Sequence, residues 1–207
     1  MPTEQVIHAV DDDRPFLAAL DRALRTTGLT VNRYVCASDF LNDLDPDQPG
    51  CLITDLRMPG MDGLELQKTL QEQQIRLPTI FITGHGDAGK AVAALKGGAV
   101  DFLEKPFSEQ ALLDSVRRAL AKDTVDRALA GDRAIIRQRC ANLTPREQQV
   151  FGLVVSDLAN KEIARQLKIS PRTVEHHRAH VMLKMQARSV AELITMAVLC
   201  GIRELRL

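Results

Sequence analysis

Three consecutive carboxylates, Asp11, Asp12 and Asp13, close an apolar run at Val6–Val10, and a fourth, Asp55, closes a second run at Cys51–Thr54. A hydroxyl, Thr83, ends the run that starts at Thr79, and Glu104-Lys105-Pro106 follows the run Val100–Leu103. Brought together, several ionised carboxylates repel one another. A hard divalent cation relieves that repulsion, and Mg²⁺ suits a few carboxylates with several retained waters. The same pocket then offers a carboxylate nucleophile, a hydroxyl donor and a fixed ammonium. Phosphoryl transfer needs this set, because it depends on positioning and on neutralising the phosphoryl oxygens. An Asp or Lys at one strand end is commonly just solvated; four strand ends that agree are a pattern.

The pattern requires elements that converge. In the first 120 residues, apolar runs at Val6–Val10, Leu29–Tyr34, Cys51–Thr54, Thr79–Thr83 and Val100–Leu103 alternate with amphipathic stretches such as Phe16, Leu17, Leu20 and Leu24, then Leu64, Leu66 and Leu70. Strands alternating with helices predict a parallel sheet covered on both faces. Five such units make a doubly wound α/β domain whose ligand site lies at the carboxyl ends of the strands. The strand ends are where the chemistry-bearing residues stand.

After residue 142 the strand signal disappears. Residues 123–142 are polar and Arg-rich and read as a partly helical linker, so the expected organisation is a domain over 1–122, the linker, and an all-α domain of four helices over 143–207. Thr144-Pro145 with Glu147 reads as a helix start, and Ser170-Pro171 and Arg188-Ser189 mark two later ones. The segment 160–185 reads as helix, short turn, helix. Ile163, Ala164 and Leu167 face inward on the first; Val174, Val181 and Met185 form one stripe on the second. Arg172, His176, Ala179 and His180 then fall on the opposite, solvent-facing side, as a major-groove reading helix requires. Lys161, Arg172, Thr173 and Arg178 are candidate phosphate contacts. Glu175 suits a cytosine amino group, and His176 a base edge.

Two other motifs compete. Gly84-His85-Gly86-Asp87-Ala88-Gly89 spells the GxGxxG of a dinucleotide site, but it follows the fourth strand rather than opening the first βαβ unit. It also leaves the aspartates unexplained. His176 and His180 lie four apart, yet a zinc-peptidase HExxH needs Glu at 177, where His stands.

Composition agrees with two dissimilar halves. The 207 residues carry 27 Lys+Arg against 27 Asp+Glu, but residues 1–122 hold 13 against 18 and residues 123–207 hold 14 against 9. An acidic half joined to a basic half implies different partners, nucleic acid for the basic one. Cys36, Cys51, Cys140 and Cys200 make no CxxC pair, which fits reduced thiols in the cytosol. The start of the chain lacks a signal-peptide pattern, and Leu193–Ile202 is too short to span a bilayer. The expectation is a soluble, cytoplasmic protein.

From Val6 to Phe107 the chain resembles a response-regulator receiver domain of flavodoxin-like fold, through VDDD at 10–13, TDLRMPGMDG at 54–63, FITGHGD at 81–87 and DFLEKPF at 101–107. That resemblance implies phosphorylation of Asp55 by a histidine kinase, with Asp12 and Asp55 as direct Mg²⁺ ligands, Asp11 acting through water and Arg57 offering its backbone carbonyl. It implies that Thr83 binds a phosphoryl oxygen, Lys105 pairs with the phosphate, Phe102 is the aromatic switch and Gly84 leaves access for the phosphoryl group. A cis Lys105–Pro106 bond is common in such domains. The expected mechanism pulls Thr83 inward and packs Phe102 behind it. This changes a face that includes Ala91, Val92, Leu95 and Val100, through which the protein dimerises.

From Leu143 to Ile202 the chain resembles the LuxR-type helix-turn-helix, through LTPREQQV at 143–150, NKEIA at 160–164 and SPRTVEHHRAHVMLKM at 170–185. The combination is the NarL/FixJ arrangement. It implies sequence-specific DNA binding, RNA polymerase as a partner, and a dimer seam on Ser189–Cys200. It implies no enzyme beyond self-phosphorylation and self-dephosphorylation. The family often places an aliphatic residue where His176 stands, so base preference does not transfer.

Overall fold

The computed structural model describes residues 4–84 and 97–202. The chain divides into two compact units, Met1–Arg127 and Ala128–Leu207. In the first, β1 (Val6–Val10), β2 (Thr30–Tyr34), β3 (Gly50–Asp55), β4 (Thr79–Thr83) and β5 (Asp101–Glu104) form one sheet in the order β2-β1-β3-β4-β5. All four pairings are parallel. β1, β3 and β4 are almost wholly buried, which is why they read as continuous apolar runs rather than alternating ones.

Helices cover both faces. On one, α1 (Arg14–Arg25) supplies Leu17, Leu20 and Leu24, and α4 (Glu109–Ala141) supplies Leu112, Val116, Ala119 and Leu120. These pack on Ile7, Ala9, Ile53, Ile80, Ile82 and Leu103. On the other, α2 (Ala37–Asp43) and α3 (Gly63–Glu72) bring Phe40, Leu66 and Leu70 against Val10 and Leu52. Asp62 caps α3 in a reciprocal box with Glu65.

The second unit contains α5 (Pro145–Val155), α6 (Asn160–Leu167), α7 (Pro171–Met185) and α8 (Val190–Leu199). Their shared core holds Val150, Phe151, Ile163, Val174, Val181, Met185 and Leu193. Ile136 and Cys140, near the end of α4, pack against it. Lys168 at φ 53° ends α6 in the left-handed region and turns the chain toward Ser170, whose hydroxyl caps α7. Among the described residues no helix is long and apolar enough to cross a membrane.

The stretch 123–142, expected to be helical only in part, is helical through Ala141. Its first residues belong to the packing of the first unit. Asp123 is fully buried and accepts a 2.9 Å hydrogen bond from the N–H of Gly50. Arg127 donates to both Asp123 oxygens at 2.9 and 3.0 Å and reaches the carbonyls of Pro46, Asp47 and Gln48. This pair ties α4 to the start of β3. Asp123→Ala strands the Gly50 amide and leaves the Arg127 guanidinium without its counter-charge, and removal of one partner of such a pair costs about 3 kcal/mol. The expected result is a lower urea midpoint for the first unit, followed by fluorescence of Tyr34, the chain's single tyrosine.

Candidate functional site

The register of the sheet builds the acidic pocket. Val10 pairs with Thr54, so Asp11 and Asp55 leave adjacent strands side by side. Asp11, Asp12 and Asp55 each offer a carboxylate oxygen within 4.8 Å of the others. Asp13, the last of the triplet, is used differently: its side chain caps α1 by accepting from the N–H of Phe16 at 3.0 Å.

Lys105 closes the pocket. Its backbone N–H donates to the Thr83 carbonyl at 2.7 Å, which fixes the turn after β5 beside the end of β4. The following Lys105–Pro106 bond is cis. The ammonium donates to Asp11 Oδ2 at 2.9 Å and to Asp55 Oδ2 at 3.1 Å, and lies 3.8 Å over the centroid of the Phe16 ring. Burial pushes the Asp11 carboxyl above its usual range; Lys105 and the N–H of Asp13 oppose that shift, and the Asp55 charge reinforces it. Burial lowers the Lys105 ammonium, but the two carboxylates more than offset it and hold it above its ordinary value. Asp55 Oδ1 accepts from the N–H of Arg57 at 2.8 Å, leaving the carboxylate oriented from both sides.

Thr83 is buried and Gly84 exposed. Phe81 pairs with Phe102 and Thr83 with Glu104, so Thr83 and Phe102 project to the same face of the sheet. Phe102 is half-buried against Leu56 and Phe81. A Cβ on Gly84 meets nothing within 4 Å among the described residues. Ala91, Val92 and Leu95 of the expected dimer face, and residues 85–89 of the GxGxxG stretch, lie outside the described residues.

Three hard oxygen donors suit Mg²⁺ rather than a softer metal, and no His or Cys joins the group among the described residues. The donor set therefore fits the cation that the resemblance implied.

In the second unit, Val174, Val181 and Met185 are fully buried, while Arg172, Glu175, His176, Ala179 and His180 are exposed. Lys161, in the first turn of α6, is exposed too. Arg178 donates to Asn160 Oδ1 at 2.8 Å, so it braces α7 against α6. The Thr173 hydroxyl shares a 2.7 Å contact with the Ser170 hydroxyl inside the cap of α7. The cap therefore engages one of the predicted phosphate contacts.

Sequence reasoning missed several positioning residues. A Cβ on Gly63 would lie 2.3 Å from the Asp55 carbonyl oxygen, so only glycine lets α3 start against the end of β3. Phe16, read as a core residue, lies under Lys105. Glu147, read as part of a helix start, is buried and accepts from Lys184 at 2.7 Å and from the N–H of Thr144 at 2.7 Å. The glutamate of a capping box was visible in the sequence; its lysine partner, 37 residues on, was not.

Comparison with known proteins matches both units. The response regulator receiver domain family covers residues 7–117, and the family described as bacterial regulatory proteins, luxR family, covers residues 141–197. The chain is 44% identical over 202 residues to the transcriptional regulatory protein FixJ of Azorhizobium caulinodans, across 98% of this chain and 96% of the relative. It is 42% identical to nodulation protein W of Bradyrhizobium diazoefficiens, across 97% and 88%. Among solved structures, the response regulator StyR superposes with a TM-score of 0.80 at 42% identity, covering 94% of this chain and 98% of that one. Full-length FixJ from B. japonicum gives 0.59 at 41%, covering 98% and 100%. Fold and site together define a two-component response regulator: the chain belongs to the NarL/FixJ type, with a receiver domain and a LuxR-type DNA-binding domain that regulates transcription. A histidine kinase and DNA are the partners those two domains imply.

Glu147 generates a pH prediction. Burial raises its carboxyl, but the Lys184 ammonium and the N–H and hydroxyl of Thr144 outweigh burial and hold it at about 2, against an ordinary 4.5. A depressed folded value contributes stability above pH 4.5 that is lost as pH falls toward about 2. The protection factors of the Val181 and Met185 amides are therefore expected to fall as pH drops across that window, and the fall to disappear in Glu147→Gln, which is destabilised relative to wild type above it.

Proposed function

We propose that this response regulator takes a phosphoryl group on Asp55 and answers by dimerising and binding DNA. The observation that carries the proposal is the Lys105 ammonium, 2.9 Å from Asp11 and 3.1 Å from Asp55. A fixed cation already stands where phosphoryl oxygens gather. An Asp55 carboxylate oxygen attacks phosphorus, and the bond from phosphorus to the kinase histidine nitrogen breaks. Lys105 pairs with the transferred group, and the Thr83 hydroxyl donates to one of its oxygens. Asp11, Asp12, Asp55 and the Arg57 carbonyl would hold Mg²⁺, which neutralises charge on the phosphoryl oxygens. The open space at Gly84 admits the donor.

Thr83 moving toward the phosphoryl group leaves room on the sheet face that it shares with Phe102. Shifting a population from 1:99 to 99:1 requires about 5.5 kcal/mol. One charge-assisted hydroxyl contact supplies about 1.5–3 kcal/mol. Dimerisation, with a seam on α8 by analogy, supplies the rest, so the switch depends on protein concentration. In the DNA-bound state, Lys161, Arg172, Thr173 and Arg178 face phosphates, and Glu175, His176, Ala179 and His180 face base edges in the major groove. RNA polymerase is the downstream partner, the setting is the cytoplasm, and no reaction beyond transfer to and from Asp55 is catalysed.

Incubation with acetyl phosphate and Mg²⁺ is expected to give a single phosphoryl adduct by intact mass, absent without Mg²⁺ and absent in Asp55→Asn. An adduct that persists in Asp55→Asn would refute the assignment. For the DNA-binding half, affinity for a duplex is expected to fall steeply with salt. Lys161→Ala and Arg172→Ala are each expected to flatten the slope by about 0.9, the value for one phosphate left unneutralised. A salt-independent affinity would rule out the phosphate contacts.

A further inference from the structure

Two imidazoles on α7 are placed for a chemistry that DNA recognition does not require. His176 and His180 stand four residues apart on one helix face, and both are exposed. Their ring centroids lie 4.2 Å apart with the planes tilted by 52°. The residue between them on that face, Ala179, is too small to intervene. Behind His180, its Nδ1 lies 3.6 Å from Glu147 Oε1. That distance exceeds a hydrogen bond, so the effect is electrostatic. Glu147 thus stands on the Nδ1 side of the ring, the side from which a carboxylate supports an imidazole whose other nitrogen ligates a metal. Glu147 Oε2 is already engaged by Lys184 and Thr144, which holds the carboxylate in place.

We propose that His176 and His180 form a two-imidazole site for a late first-row divalent cation (Ni²⁺, Cu²⁺ or Zn²⁺) on the exposed face of α7. Imidazole nitrogens select these ions over Mg²⁺, so the site is chemically distinct from the all-oxygen pocket at Asp11, Asp12 and Asp55. With two protein ligands, the remaining positions are taken by water, and occupancy is reversible rather than structural. His177 stands outside the chelate: it is half-buried, and its ring centroid is 6.1 Å from that of His176. An occupied site uses the nitrogens that face the base edges and adds a hydrated ion to the surface that enters the groove. Metal and DNA therefore compete, each weakening the other by the same factor. This last consequence rests on α7 being the DNA-reading helix; the metal site does not.

The test is titration calorimetry of the full chain with Ni²⁺ alone at about pH 7.5, where imidazole is neutral. Wild type is expected to bind one more equivalent than His176→Gln or His180→Gln. Loss of an outer-shell partner alone costs about 10–100-fold in metal affinity, so losing a ligand lowers it by at least about tenfold. His177→Gln is expected to retain the site, and Cu²⁺ to bind more tightly than Ni²⁺. All three positions are on or near the surface, and unchanged circular dichroism confirms the fold. Identical Ni²⁺ isotherms for wild type, His176→Gln and His180→Gln would overturn the proposal. Separately, Ni²⁺ is expected to weaken duplex binding by wild type and not by His176→Gln; equal weakening of both would refute the competition while leaving the calorimetric result to decide the site.

Discussion

Three carboxylates gathered within 4.8 Å are tolerable only with positive charge among them, and in this receiver that charge is Lys105. Much of the first unit can be understood as the means of placing one ammonium. The Thr79–Thr83 and Asp101–Glu104 strands bring its backbone to the end of β4. The Thr83 carbonyl fixes the turn, and Phe16 offers its ring face from α1. Three carboxylates against one ammonium leave the pocket with an excess of negative charge, which is the field that draws a divalent cation. Lys105 divides its contacts between Asp11 and Asp55, so its position depends on both carboxylates rather than on one.

The second unit uses the opposite strategy. One buried carboxylate, Glu147, caps α5, accepts from Lys184 and faces His180. Its carboxyl, held at about 2, stays ionised throughout the physiological range. A carboxylate that stays ionised across that range is a rigid bracket: it holds α5 to α7 by a polar contact that adds to the apolar one around Val181 and Met185. The receiver thus shares one cation among several carboxylates, and the helical unit surrounds one carboxylate with several donors.

Much of this was legible in the sequence because it depends on local signals. Apolar runs placed the strands to within a residue or two, and the parallel order put Asp11, Asp55, Thr83 and Lys105 at one end of the sheet. The inward stripe of α7 followed from helical spacing alone. What escaped depends on contacts between distant positions. Asp123 looks like an ordinary polar residue of a linker, and its burial follows from Gly50, 73 positions away. Gly63 resembles a turn glycine until the Asp55 carbonyl is placed against it. His8, inside the first strand, sits buried beside Tyr34 and Phe40. Burial lowers its imidazole and Asp43 opposes that shift. Nothing in the alternation of β1 distinguishes it from an aliphatic.

The two faces of α7 answer to different constraints. Val174, Val181 and Met185 must fit a close-packed core, where a change of one methylene is felt. Ser170 and Arg178 are fixed by the cap and by Asn160. His176, Ala179 and His180 are exposed and belong to neither the cap nor the apolar cluster, although His180 faces the buried Glu147. Two imidazoles stand there with ring centroids 4.2 Å apart, and one of them faces the Glu147 carboxylate. An aliphatic at position 176 would offer no ring nitrogen. The histidine pair therefore adds hydrogen-bonding nitrogens to the outer face of α7 without entering the core beneath it.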